Sequence, residues 1–187
     1  AVEWGIGRVV IDSFHEIELL EEVAATAGVT QPVLIRVSPG VDPHTHAHTT
    51  TGILDSKFGF PIQTGQAQEA IHQIMAAPHL DLQGLHFHLG SPIFELEPYV
   101  QAIGIVLRFA KEMGEKGLVL KEFSPGGGFA IAYTDDDEPP TPDSYAEAIV
   151  GALRQGCKEL NLPEPSLIIE PGRAITGPAA VALYTVG

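Results

Sequence analysis

RVVIDSFHEIELLEEVAATAGVTQPVLIRVSPG, residues 8–40, decides the fold. Two short apolar runs, RVVID at 8–12 and VLIRV at 33–37, flank a stretch with helical periodicity. Ser13, with Glu16 three residues on, forms a capping-box pattern that predicts a helix over 14–27. Ile17, Leu20, Val23 and Ala27 would give it an apolar stripe, and Gly28 suits its end. The flanking runs are apolar throughout rather than alternating, as in strands covered on both faces, so strand, helix and strand read as one parallel βαβ unit.

The alternation continues along the chain. A helix is expected over 65–76 with Ala67, Ala70, Ile71 and Ile74 on one face, then a strand GLHFH at 84–88. Helix 96–116, strand 119–123, helix 142–160 and strand SLIIE at 166–170 complete it. The segment 38–61 and the Pro-rich YTDDDEPPTPD at 133–143 read as loops. About five parallel strands define an α/β chain. At 187 residues it is short of the roughly 250 that a closed eight-stranded α/β barrel needs. AVEWGIGRVV and AAVALYTVG read as elements cut part-way, so a segment of something longer is expected.

Composition narrows the function. A net charge of −14 and a pI near 4.8 argue against nucleic acid and anionic membrane surfaces as partners. The single cysteine, Cys157, excludes an internal disulfide framework and a Cys-rich zinc site, and it reads as a buried small apolar residue. No apolar run approaches the ~18 residues of a membrane span, and no signal peptide opens the chain, so a cytoplasmic protein is the default expectation.

In parallel α/β folds, chemistry collects at the carboxyl ends of strands. The residues there are Ser38-Pro39-Gly40, His88-Leu89-Gly90-Ser91, Gly126-Gly127-Gly128 and Glu170-Pro171-Gly172-Arg173. Consecutive glycines suit an anion-binding nest as well as a plain tight turn. Glu170 ending an apolar strand needs a cationic partner: a ligand, or Arg173 in a salt bridge closing the loop. His86 and His88, two apart on a strand, share a face; with His44, His46 and His48 they raise a metal reading, but no carboxylate or thiolate stands at familiar zinc spacing.

HFHLGS at 86–91, GGGF at 126–129 and EPGR at 170–173 resemble, in order and spacing, the fold-type III pyridoxal-phosphate decarboxylases with an alanine-racemase-like barrel. TGILDSKFGFP at 51–61 and EPGRAITGPAAVALYTVG at 170–187 resemble more narrowly the branch that acts on diaminopimelate. The resemblance implies a partial (β/α)8 barrel over 1–180, lacking the first strands, with 181–187 opening a C-terminal β domain. It implies pyridoxal 5′-phosphate as cofactor. His88 would stack on the ring and Glu170 would pair with its nitrogen, both as catalytic groups. Ser91, Gly126, Gly127 and Gly128 would hold the phosphate. Pro171, Gly172 and Arg173 would complete the cofactor site, and Arg173 would also meet the substrate carboxylate. Arg36 and the stretch 56–59 match family positions near the site.

The implied reaction is decarboxylation of meso-2,6-diaminopimelate to L-lysine by a homodimer. Arginine, ornithine or carboxynorspermidine decarboxylation is the alternative within the family, and a non-catalytic cofactor-binding homologue the alternative outside it. The family's cofactor-linking lysine has no match among Lys57, Lys111, Lys116, Lys121 and Lys158. Its C-terminal Cys-Glu-Ser-x-Asp segment is also unmatched, and Pro92 stands where relatives carry Gln.

Overall fold

The computed structural model describes residues 1–42 and 57–185. After a short 3-10 turn, β1 (Val9–Ile11) leads into α1 (Phe14–Ala27), then β2 (Gln31–Ser38). β3 (Phe60–Pro61), α2 (Gln66–Ala76), β4 (Leu80–His86) and α3 (Glu97–Gly114) follow. β5 (Glu122–Ser124), α4 (Pro142–Leu160), β6 (Ser166–Leu167) and α5 (Gly172–Thr176) complete the chain. The strands form one parallel sheet in the order β1-β2-β4-β5-β6, with β3 paired to β2.

The sheet curls. β2 and β4 lie between β1 and β5, so a flat sheet would hold these outer strands about 14 Å apart. Yet Arg8, just before β1, donates from Nε to Glu122 Oε2 on β5 at 2.7 Å. A guanidinium and a carboxylate meet across that span only if the strands bend toward one another, as in a barrel wall.

Helices cover the outer face. Ala67, Ala70, Ile71 and Ile74 of α2 are all buried, as their spacing predicts. In α1 the capping box forms as expected, with Ser13 and Glu16 bonded reciprocally. Its inner stripe differs from the expectation: Ala24 is fully buried while Val23 is exposed. Ile17, Leu20 and Ala24 follow the 3, 7 spacing of one helical face, whereas Val23 lies about a third of a turn away.

Other differences concern strand limits. β4 starts earlier than expected and ends at His86, which leaves His88 beyond the strand. β5 begins only at Glu122, because Leu118 is used to close the turn after α3 and Val119 points outward. β3 and α5, each at most five residues, lack enough periodicity to be read from sequence. Tyr99, Phe87, Phe123, Ile35 and Leu85 are among the fully buried residues of the core.

Candidate functional site at the strand ends

Beyond β4, β5 and β6 the chain segments stay side by side. Phe87 N–H donates to Ser124 O at 2.9 Å, and Glu170 N–H to Gly126 O at 2.9 Å. Ile93 N–H donates to Gly128 O at 2.8 Å. These parallel bridges gather His88, Gly126, Gly127, Gly128 and Glu170, which the sequence reading had placed on separate strand ends.

The glycines are needed for that closeness. Gly126 has φ 74°, and a Cβ there would stand 2.7 Å from both His88 Nδ1 and the Phe87 carbonyl. Gly128 has φ 93°, and its Cβ would fall on the Gly90 carbonyl. Two of the three amides already have acceptors: Gly126 N–H donates to Ser124 Oγ at 3.3 Å, and Gly127 N–H to His88 Nδ1 at 3.3 Å. The buried Tyr99 hydroxyl braces the run from behind, donating to Gly127 O at 2.7 Å.

Three side-chain groupings surround this floor. His88 is half-buried, and burial pushes its imidazole below the ordinary range, reinforced by Arg36 and opposed by Glu170. Accepting the Gly127 amide at Nδ1 leaves Nε2 carrying the proton in the neutral ring. Glu170, with its side chain 48% exposed, meets His86 Nε2 at 3.0 Å. That hydrogen bond, more than the nearby charges, holds its carboxyl below the ordinary carboxylate range. Arg173 donates from Nε to Ser91 Oγ at 2.9 Å and from Nη1 to the Tyr133 hydroxyl. Glu170 and Arg173 therefore take different partners, and the salt bridge weighed as an alternative does not form.

On the other flank of His88 lies a cavity of about 420 Å³, lined by Arg36, Ser38, Gly40, Lys57, Phe58 and Leu89 among others. Arg36 bonds Asp12 at 3.2 Å and stacks 4.8 Å over the Phe58 ring. The other lysines lie elsewhere: Lys116 bonds Glu112 and Gln68, and Lys121 pairs with Asp81 at 3.7 Å. Sequence reasoning missed Tyr133, Asp12 and Tyr99 as neighbours of the site. It noted His86 only for a shared face with His88. His44, His46, His48 and Ser56 lie outside the described residues. Among the described residues no helix is long and apolar enough to cross a membrane.

A curled parallel sheet with an imidazole, a carboxylate and a guanidinium–hydroxyl pair gathered at its strand ends defines an α/β-barrel segment. The comparisons carry this further: residues 1–177 match the family described as pyridoxal-dependent decarboxylase, pyridoxal binding domain, and the chain belongs to that family. It is 42% identical to the diaminopimelate decarboxylase of Bacillus subtilis (strain 168) and 43% identical to that of Staphylococcus aureus (strain COL). Each alignment spans 100% of this chain and 43% of the relative, so the chain corresponds to less than half of either protein. Among solved structures, the diaminopimelate decarboxylase from M. jannaschii in complex with L-lysine superposes with a TM-score of 0.82 at 32% identity. That match covers 92% of this chain and 39% of the other.

Proposed function

We propose that this chain supplies the cofactor-facing strand ends of a diaminopimelate decarboxylase, which converts meso-2,6-diaminopimelate to L-lysine with pyridoxal 5′-phosphate. The observation that carries the reading is Glu170, an ionised carboxylate at a strand end with one oxygen held by His86, beside the half-buried His88 ring. The donor set fits the cofactor's three chemical parts: an aromatic ring, a basic ring nitrogen and a phosphate. Bound there, pyridoxal phosphate supplies an electron sink for the pair released when CO2 leaves the α-carbon.

Each residue then has a task. Glu170 keeps a proton on the ring nitrogen by Coulombic attraction, which a neutral residue could not do. His88 covers one ring face and keeps water from it; the Gly127 amide fixes its plane. Ser91 and Arg173 take the phosphate, and Arg173 has donor capacity left for a substrate carboxylate. The expected phosphate role does not suit Gly126 and Gly127, whose amides are taken by Ser124 and His88, so they would instead line the floor of the site, while Gly128 permits the approach of the Gly90–Ser91 turn. Pro171 and Gly172 set the turn between Glu170 and Arg173, with Gly172 N–H donating to Glu170 O at 2.9 Å.

The cofactor-linking lysine and the acid-recognising segment would come from outside these residues. By family resemblance the working enzyme is a cytoplasmic homodimer, with the barrel over 1–180 and a β domain opening at 181–187. The naming of relatives that cover the whole chain favours diaminopimelate over arginine, ornithine or carboxynorspermidine. CO2 release from each of these amino acids by the full-length enzyme tests it: release from meso-diaminopimelate alone, abolished by Glu170→Ala, is expected. Preferential turnover of another substrate overturns the assignment.

A further inference from the structure

His86 ends β4 with only 4% of its surface exposed. Its Nε2 lies 3.0 Å from Glu170 Oε1, and its Nδ1 is buried with no hydrogen-bond partner among the described residues. A carboxylate only accepts, so Nε2 must carry the hydrogen. A second proton at Nδ1 would create a buried donor with nothing among the described residues to receive it, whereas an unmatched buried acceptor is the better tolerated of the two. The geometry therefore selects the neutral Nε2–H tautomer.

The main chain of Glu170 is bonded on both sides, through its N–H to Gly126 O and its carbonyl to Gly172 N–H. Its side chain has one hydrogen bond among the described residues, the one from His86. The other charged or titratable groups facing it are His88 and Arg36, and Arg36 is engaged by Asp12. Nothing else on the described strands sets where the carboxylate points.

We infer that His86 is a positioning residue for Glu170, aiming its carboxylate with a neutral N–H donor so that the full negative charge stays available to a cationic ring nitrogen. A lysine or arginine in its place would orient the carboxylate but neutralise it. The inference deepens the proposed function and rests on it for what Glu170 faces; the His86–Glu170 contact itself does not.

The test uses the full 187-residue chain with its glutamate side-chain carboxyls labelled with ¹³C, the Glu170 signal being assigned by its loss in Glu170→Gln. In His86→Gln the amide nitrogen sits near the Nε2 position and cannot titrate, so the Glu170 carboxyl should titrate as in the parent. In His86→Asn, equally polar but too short to reach, its midpoint should rise. Pyridoxal-phosphate affinity should fall about tenfold in His86→Asn and less than twofold in His86→Gln, as expected for loss of one hydrogen bond to a charged group. Identical Glu170 titration in the parent and both variants overturns the positioning role whatever happens to cofactor binding. If His86→Asn fails to fold, His86→Ala, which also removes the contact, takes its place: a raised Glu170 midpoint there with an unchanged one in His86→Gln supports the proposal, and an unchanged midpoint in His86→Ala overturns it. A shifted carboxyl in His86→Asn, with pyridoxal phosphate bound equally by parent and Glu170→Ala, would keep His86 in its role and remove the reading of Glu170 as the cofactor's partner.

Discussion

Gly126→Ala is the substitution whose cost the structure states most directly. Gly126 has φ 74°, a left-handed conformation that an L-residue adopts at about 1–2 kcal/mol. Its Cβ would arrive 2.7 Å from His88 Nδ1 and 3.1 Å from His88 Cβ, well inside contact distance, so the imidazole must move. Moving it breaks the bond from Gly127 N–H, worth about 0.5–1.5 kcal/mol. Restricting the unfolded chain returns about 0.4–1 kcal/mol. These terms alone give a loss of about 2 kcal/mol, or roughly 4–8 °C in Tm for a chain of this size, and the Phe87 carbonyl 2.7 Å from the same Cβ adds to it. Differential scanning calorimetry reads it, with Gly151→Ala in the middle of α4 as control, where the new methyl meets nothing and stability should rise by up to about 1 kcal/mol. Gly126→Ala melting within a degree of the parent, and binding pyridoxal phosphate equally, would refute the claim that this glycine lets His88 close on the strand ends.

Glu122→Gln should destabilise at neutral pH by about 0.2–1 kcal/mol, the range for a solvent-screened pair, because Arg8 bonds the carboxylate and holds it below the ordinary range. A depressed carboxyl gives stability that is complete above its unfolded value and lost as pH falls through the folded one. The gap between parent and variant in urea melts should therefore be full at neutral pH and close only below about pH 4.5. Cys157 is buried and its thiol pushed up by burial, so a thiol reagent should label it slowly in the native chain and rapidly in denaturant; fast native labelling would count against α4 packing as described. The apolar cavity of about 670 Å³ beside Phe129, Ile149 and Ile169, together with the exposed Val181, Leu183 and Tyr184, should drive self-association of the isolated chain. Light scattering that shows a monomer at all concentrations would contradict this.

Local chemistry was legible in the sequence and distant pairing was not. Ser13 and Glu16 announce the start of α1 because both partners of the capping box lie within one turn. The helix 142–160 is legible in the sequence as a stretch; its caps, Thr141 accepting from Ser144 N–H and Asn161 closing it at φ 52°, come from the structure. The resemblance of HFHLGS, GGGF and EPGR led to the strand ends that the fold brings together. It did not show which groups meet there. His86 and Glu170 are 84 residues apart, Arg8 and Glu122 are 114 apart, and Tyr99 and Gly127 are 28 apart. No periodicity within one sequence couples such positions; the curl of the sheet does. Arg173 shows the same limit: local spacing suggested Glu170 as its partner, while the parallel strand ends offer it Ser91 and Tyr133 instead.

The most direct test of the account is an absorbance titration of the chain with pyridoxal phosphate, followed by borohydride reduction and peptide mapping. Saturable binding of one equivalent is expected, weakened in Glu170→Ala and Arg173→Met, with no lysine carrying a reduced pyridoxyl group. Absence of saturable binding, or a specific adduct on Lys57 in the cavity beside His88, would contradict it.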